Sequence, residues 1–294
     1  MEANMYRSKK KIIITFLLPS LLGLLIFKVG AMLYSLYISF TDWNLFGSPK
    51  FVGLENYIQI FQDPRFYDSL KNTLLFIIGY LPIVVVLSLG VALLLNSKVK
   101  GVNIFRGLFF LPVITSWVAV SMIWKGLLNP EFGVINSIIE VFGGTGPAWL
   151  QNPTFVIPAV VMVSVWKDVG FLSIIFLGGL QGISQEYYEA SKIDGANKWN
   201  QFRNITLPLL SPTTFYALII TIINSFQVFD QIWIMTSGEP TADLVPVMVT
   251  EIYKNSFQYQ KMGYATALSW ILFFIIILVT IFQNVMQKKW VHYE

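Results

Sequence analysis

A polar segment at residues 184–212 contains the side chains best suited to bind another protein. It reads SQEYYEASKIDGANKWNQFRNITLPLLSP. Glu189 and Asp194 can accept hydrogen bonds from N–H groups or pair with basic residues across an interface. Ala190 and Ala196 allow close approach of a helix. The apolar residues recur at spacings of three to five, which predicts short amphipathic helices. These residues are Tyr188, Ile193, Ala196, Trp199 and Phe202.

A glycine and a proline indicate how this segment folds. Gly195 lets the chain turn between two helices. Pro208 is expected to open the apolar run that follows, at a position where a missing N–H costs nothing. The alternative role for Glu189 and Asp194 is local helix capping. The segment therefore predicts two short helices joined by a turn, outside the bilayer.

Two charged residues, Lys167 and Asp168, lie near the middle of a long apolar run. Charges at that depth are costly and face a bundle interior, a cavity or each other. Neighbouring residues on a helix point in different directions, so these two are not expected to pair directly. One or both could line a solute path, or both could make structural contacts with another helix or subunit.

Composition excludes several classes of protein. The chain has 294 residues, of which 55% are hydrophobic and 12% charged, too few charges for the surface of a soluble fold of this size. Cysteine is absent and the one histidine is His292, so no thiolate chemistry, metal site or catalytic histidine is predicted. No G-x-x-x-x-G-K-[S/T] phosphate loop occurs, so the chain itself is not expected to hydrolyse ATP or to act as an enzyme.

Six apolar segments are each near the roughly 20 residues that span hydrocarbon. They cover about 12–40, 74–95, 107–124, 155–180, 207–229 and 265–285. Strands of a membrane barrel would alternate over about ten residues, which these segments do not do. The sequence predicts an all-α membrane protein with six transmembrane helices in a single domain over 1–294, with segment 184–206 between helices 4 and 5.

Lysine and arginine predict the orientation, because they are enriched on the cytoplasmic side. With the N-terminus inside, the inner segments hold twelve and the outer segments six. The inner residues are Arg7, Lys9, Lys10, Lys11, Lys98, Lys100, Arg106, Lys192, Lys198, Arg203, Lys288 and Lys289. Both termini are therefore predicted to be cytoplasmic. Because the basic residues flank apolar runs, lipid and not nucleic acid is the expected partner.

Segment 184–212 resembles the EAA loop of binding-protein-dependent ABC importer permeases. The family pattern is Glu-Ala, three residues, Asp-Gly-Ala, five residues, Phe, two residues, Ile, one residue and Leu-Pro. This sequence supplies it with Glu189, Ala190, Asp194, Gly195, Ala196, Phe202, Ile205, Leu207 and Pro208. Ser191 stands where a second alanine is common. FTDWN at 40–44, GLENY at 53–57 and FDQIWIMTSGEP at 229–240 look like the carbohydrate-uptake branch related to maltose and glycerol-phosphate permeases, although Glu239 replaces a common glycine.

The resemblance implies an inner-membrane subunit of a larger assembly. Expected partners are a second homologous permease, two ATPase subunits that bind ATP and magnesium, and an extracytoplasmic sugar-binding protein; no cofactor is expected on this chain. The EAA loop would be a coupling helix docked on an ATPase. ATP binding would open the bundle outward, and hydrolysis would reset it.

Residues at the outer end of the fifth apolar run suit a sugar path. Sugar recognition needs polar groups for the hydroxyls and aromatic faces for the apolar sides of the ring. Both kinds occur here, in Asn224, Phe226, Gln227, Phe229 and Asp230. Ordinary helix packing is the alternative for each of them. A polyol or glycerol phosphate could replace the sugar, and an ion-coupled secondary transporter is a further alternative.

Overall fold

The structure is a computed structural model that describes residues 14–97, 101–239 and 241–291. Several residues used in the predictions above lie outside these ranges. They are Arg7, Lys9, Lys10, Lys11, Lys98, Lys100, Pro240 and His292, with the first two residues of the first predicted span.

The described chain is built almost wholly from helices. In chain order the elements are α1 (Ile14–Ser39), β1 (Thr41–Asp42), β2 (Lys50–Phe51), α2 (Glu55–Gln62), α3 (Pro64–Leu95), α4 (Val102–Ile114), α5 (Trp117–Leu127), α6 (Val134–Val141), α7 (Pro153–Gly182), α8 (Gln185–Ile193), α9 (Lys198–Leu209), α10 (Ser211–Phe226), α11 (Asp230–Thr236), α12 (Met248–Tyr253) and α13 (Met262–Gln287). Wider π-helical turns occur in α1 at Leu25–Gly30, in α9 at Phe202–Thr206 and after α12 at Lys254–Gln258.

Four helices, α1, α3, α7 and α13, are long and apolar enough to cross a membrane. Two helix pairs pass the same test together but are bent, α4 with α5 by 97° and α9 with α10 by 62°. The described residues therefore provide four to six candidate spans, and the prediction of a helical membrane protein is confirmed at that level.

The predicted spans 107–124 and 207–229 were expected to be continuous, and the structure breaks both. In the first, Thr115 is extended, with ψ 140°, and the Ser116 hydroxyl caps α5 by accepting from the Val118 N–H at 3.2 Å. In the second, α10 begins at Ser211 with Pro212 in its first turn, whereas Pro208 lies near the end of α9. The expectation that Pro208 opens the long span is wrong, because the chain bends after it, at Leu210.

One compact unit comprises residues 1–63 and 252–271, of which the structure describes residues from 14 onward. An antiparallel pairing of β1 with β2, which was not predicted, follows α1. The Asn56 amide donates to the carbonyl oxygens of Ser39 and Thr41, both at 2.9 Å. Gly263 lies so close to the Thr41 carbonyl that a β-carbon would be 1.8 Å away. These contacts bring the FTDWN and GLENY motifs together.

The second unit comprises residues 64–251 and 272–294, and α7 is its central helix. In the most apolar stretch of α7, 67% of the residues are buried, against 28% in α3. Val, Ala and Gly on α7 permit this close packing. At Gly170 a β-carbon would lie 1.8 Å from the Phe109 carbonyl oxygen, so α4 and α7 are in backbone contact.

Candidate functional site

The turn between α8 and α9 has the geometry that the sequence predicted. The Ser184 hydroxyl caps α8 by accepting from the Glu186 N–H at 3.3 Å. Gly195 has φ +79°, and its N–H reaches the Lys192 carbonyl at 3.1 Å. The Ala196 N–H reaches the Ser191 carbonyl at 2.9 Å, which completes a glycine-terminated helix end of the Schellman type. The turn therefore requires a residue that tolerates positive φ.

Side-chain hydrogen bonds hold α8 against α9. The Tyr188 hydroxyl lies 3.0 Å from the Thr206 hydroxyl, which is itself buried. The Gln201 amide donates to the Ser191 hydroxyl at 2.9 Å and to the Tyr188 carbonyl at 3.3 Å. Ser191, at a position where the family pattern favours alanine, thus has a structural role that the sequence did not reveal.

The tip of this helical hairpin presents exposed apolar and acidic side chains. Ile193 is 88% exposed and Trp199 is 65% exposed. The side chains of Glu189 and Asp194 make no hydrogen bond or ion pair with another described residue; the helix N-caps come from Ser184 and Asn197. The capping alternative for the two carboxylates therefore loses its support.

The other predicted coupling residues occupy different surroundings. Ala190 is exposed, Ala196 is half-buried, and Phe202 lies with its ring 5.7 Å from that of Trp199. Pro208 is half-buried near the bend. At the bend itself, Leu210 is fully buried, and a β-carbon on Gly179 of α7 would lie 2.8 Å from the Leu210 side chain.

A cavity of about 400 Å³ lies within the second unit. This volume is in the usual range for small-molecule sites. Five predicted path residues line it: Asp168, Asn224, Gln227, Phe229 and Asp230. Residues that the sequence reasoning missed complete the wall: Phe76, Tyr80, Trp117, Phe171, Leu172, Ile220, Thr221, Ser225, Val228 and Gln231. The wall thus combines aromatic faces with hydroxyl, amide and carboxylate groups.

Two polar groups of the cavity wall, the half-buried Asp168 and the buried Thr221, differ in their hydrogen bonding. Asp168 accepts a hydrogen bond from the Tyr80 hydroxyl of α3 at 2.7 Å. The Thr221 hydroxyl is buried and has no hydrogen-bond partner among the described residues. Tyr80 could have been noticed as a polar aromatic residue within an apolar run. Nothing in the sequence marks Trp117, which joins the wall only because the chain breaks beside it.

Lys167 and Phe226, the remaining two predicted path residues, do not line the cavity. Phe226 is 3% exposed and packs inside the unit. The Lys167 ammonium donates to the Val113 carbonyl at 3.1 Å and lies 4.8 Å from the centroid of the Trp117 ring. Lys167 and Asp168 therefore take separate partners, as their adjacent positions on one helix predicted.

A second lysine explains the unusual Glu239. The Lys125 ammonium lies 3.4 Å from the Glu239 carboxylate and also donates to the Ser237 carbonyl. This joins the end of α5 to the turn after α11. In the described part of the chain, no group of three or more His, Cys, Asp or Glu side chains is placed to hold a metal ion.

The structure has the features of a membrane transport subunit: helices long enough to span a membrane, a polar cavity and a polar helical hairpin. The model of the binding-protein-dependent transport system inner membrane component family matches residues 60–292, and the chain belongs to this family. It is therefore a multi-pass inner-membrane permease subunit and not an enzyme in itself.

Individual relatives match along nearly the whole chain. The "Probable ABC transporter permease protein YesP" of Bacillus subtilis (strain 168) is 36% identical over 95% of this chain and 91% of its own length. The "Probable starch degradation products transport system permease protein AmyD" of Thermoanaerobacterium thermosulfurigenes is 32% identical over 93% of each chain. A chain in the crystal structure of a bacterial alginate ABC transporter, in complex with a periplasmic protein bound to alginate pentasaccharide, is 25% identical, with TM-score 0.83 over 96% of each chain.

Proposed function

We propose that this chain is one of two homologous permease subunits of an ATP-driven importer for a sugar or oligosaccharide. The solute would come from an extracytoplasmic binding protein, and two ATPase subunits would supply the energy. Support comes from relatives named for starch degradation products and alginate, and from a cavity wall that mixes aromatic faces with polar groups.

The fold in this proposal is a single domain with six spans, of which the third (α4 with α5) is bent and the fifth is α10, which the 62° bend separates from α9. Both termini and the α8–α9 hairpin lie in the cytoplasm. The excess of Lys and Arg in the inner segments supports this orientation.

Two helices connect the α8–α9 hairpin directly to the cavity. The helices that enter and leave the α8–α9 hairpin, α7 and α10, both line the cavity, with Asp168 and Phe171 on one and Thr221 and Asn224 on the other. The 16-residue α10 is about 24 Å long, and its cavity-lining residues begin about 15 Å from the bend. A displacement of the hairpin can therefore reach the cavity through two rigid helices.

The α8–α9 hairpin is the coupling element. The exposed Ile193 and Trp199 supply apolar anchors for a cleft on an ATPase subunit, while Glu189 and Asp194 can meet its N–H groups or basic side chains. ATP and magnesium are held by that subunit. ATP-driven closure moves the hairpin and opens the cavity outward for loading, and hydrolysis returns it inward.

Reconstitution tests the proposal. This chain is co-purified with the candidate partner permease and ATPases and placed in proteoliposomes with the candidate binding protein. The expected results are ATPase activity stimulated by the loaded binding protein and ATP-dependent sugar uptake. Uptake by the chain alone on an ion gradient, or labelling of the hairpin from the outside, would contradict it.

A further inference from the structure

The charged residues that line the cavity are acidic and not basic. Asp168 and Asp230 contribute carboxylates to its wall, whereas none of the described lining residues is a lysine or an arginine. The remaining polar lining groups are hydroxyls and amides, on residues such as Tyr80, Thr221 and Gln227.

The nearest lysine does not supply a contact for an anion. Lys167 is 5% exposed, and its ammonium is held by the Val113 carbonyl and the Trp117 ring. At longer range its charge offsets that of Asp168, the next residue along α7. Asp230, which is exposed at the start of α11, then leaves the cavity with a net negative charge.

From this arrangement we infer that the cavity admits neutral or cationic sugars and discriminates against anionic ones such as uronates and sugar phosphates. A ligand carboxylate or phosphate would meet a like charge and no direct basic partner, which is unfavourable in a partly desolvated site. A hydroxyl or ammonium can instead donate to Asp168 or Asp230, and the sugar ring can lie against Phe229 or Trp117. This inference rests on the proposed sugar path and narrows its substrate class, setting it apart from a transporter of acidic alginate and from one of glycerol phosphate.

Three probes with one ring test the inference. Methyl glucoside, methyl glucuronide and methyl glucosaminide are neutral, anionic and cationic respectively at neutral pH. Their dissociation constants are measured by ligand-observed NMR on the complete assembly in lipid nanodiscs, without the binding protein. The glucuronide is expected to bind about tenfold more weakly than the glucoside, with the difference shrinking at high salt.

Substitutions separate charge from shape. Asp230→Asn keeps the side-chain size and is expected to remove most of the discrimination, by strengthening glucuronide binding with little effect on the glucoside. Glu140→Gln, an equal change of charge at an exposed position of α6 outside the cavity wall, serves as the matched control and is expected to leave the ratio unchanged.

The outcomes distinguish this inference from the function on which it rests. Three results would overturn the charge selectivity alone, provided that the ATPase of the assembly responds to the binding protein. They are equal affinity for glucoside and glucuronide, an unchanged ratio of their dissociation constants in Asp230→Asn, and binding of none of the probes. If the loaded binding protein does not stimulate the ATPase activity of the assembly, the proposed importer function is contradicted.

Discussion

The ammonium nitrogen of Lys167 donates a hydrogen bond to the carbonyl oxygen of Val113 at 3.1 Å. Val113 lies in the last turn of α4, where carbonyl groups lack partners within the helix. The same ammonium lies 4.8 Å from the ring of Trp117, the first residue of α5. One side chain of α7 therefore joins both sides of the 97° break, and it also positions an aromatic residue of the cavity wall.

Replacing Lys167 with methionine tests this role. The loss of a charged hydrogen bond to a partly buried carbonyl is expected to destabilise the protein by about 1.5–3 kcal/mol. The measurement is the unfolding midpoint of the purified protein in detergent. Lys71→Met, at an exposed position of α3, is the control. Equal midpoints for the two variants would show that Lys167 does not stabilise the break.

The sequence singled out Lys167 and Asp168 but did not show that only Asp168 lines the cavity. Both are charges in an apolar run, and the hydropathy pattern treats them alike. Their different roles depend on the break after Ile114, which leaves the Val113 carbonyl available and moves Trp117 toward α7. The break was missed because the apolar run continues through Thr115 and Ser116 with only two weakly polar residues.

Replacing Gly195 with proline is expected to uncouple ATP turnover from uptake. Proline fixes φ near −65°, whereas Gly195 has φ +79°, and the N–H that reaches Lys192 is lost. The protein should still insert, because the turn lies outside every candidate span. ATP hydrolysis and uptake are measured together in proteoliposomes.

Asparagine at the same position is the control, because it tolerates positive φ and keeps its N–H. Gly195→Asn is expected to retain most of the uptake. Normal uptake by Gly195→Pro would rule out a coupling role for this turn.

The hydroxyl contact between Tyr188 and Thr206 is expected to stabilise the α8–α9 hairpin. Tyr188→Phe and Thr206→Val each remove one hydroxyl of the 3.0 Å pair. In a double-mutant cycle on unfolding, the coupling energy should be about 0.5–1.5 kcal/mol. A coupling energy near zero would mean that the two hydroxyls act independently.

The α8–α9 hairpin was the part of the site most accessible from sequence. Its glycine turn and amphipathic spacing are local features, and local hydrogen bonds confirm the turn at Gly195. The cavity wall was accessible only in part, because Tyr80, Trp117 and Asp168 come from separate helices. Their proximity depends on how those helices pack, which a single sequence does not specify.

Two glycines of α7 provide a matched test of that packing. At Gly170 an added β-carbon would lie 1.8 Å from the Phe109 carbonyl oxygen, whereas at Gly178 it would meet nothing within 4 Å. Both lie inside the same helix, so alanine brings the same gain in helix propensity at each site. Gly170→Ala must push α4 away from α7, with a cost of about 1–3 kcal/mol from overpacking, and it displaces Val113 from Lys167. Gly178→Ala is expected to be neutral or slightly stabilising. Comparison of the two unfolding midpoints in detergent checks this, and a Gly170→Ala protein as stable as Gly178→Ala would show that α4 does not pack on α7 at Gly170.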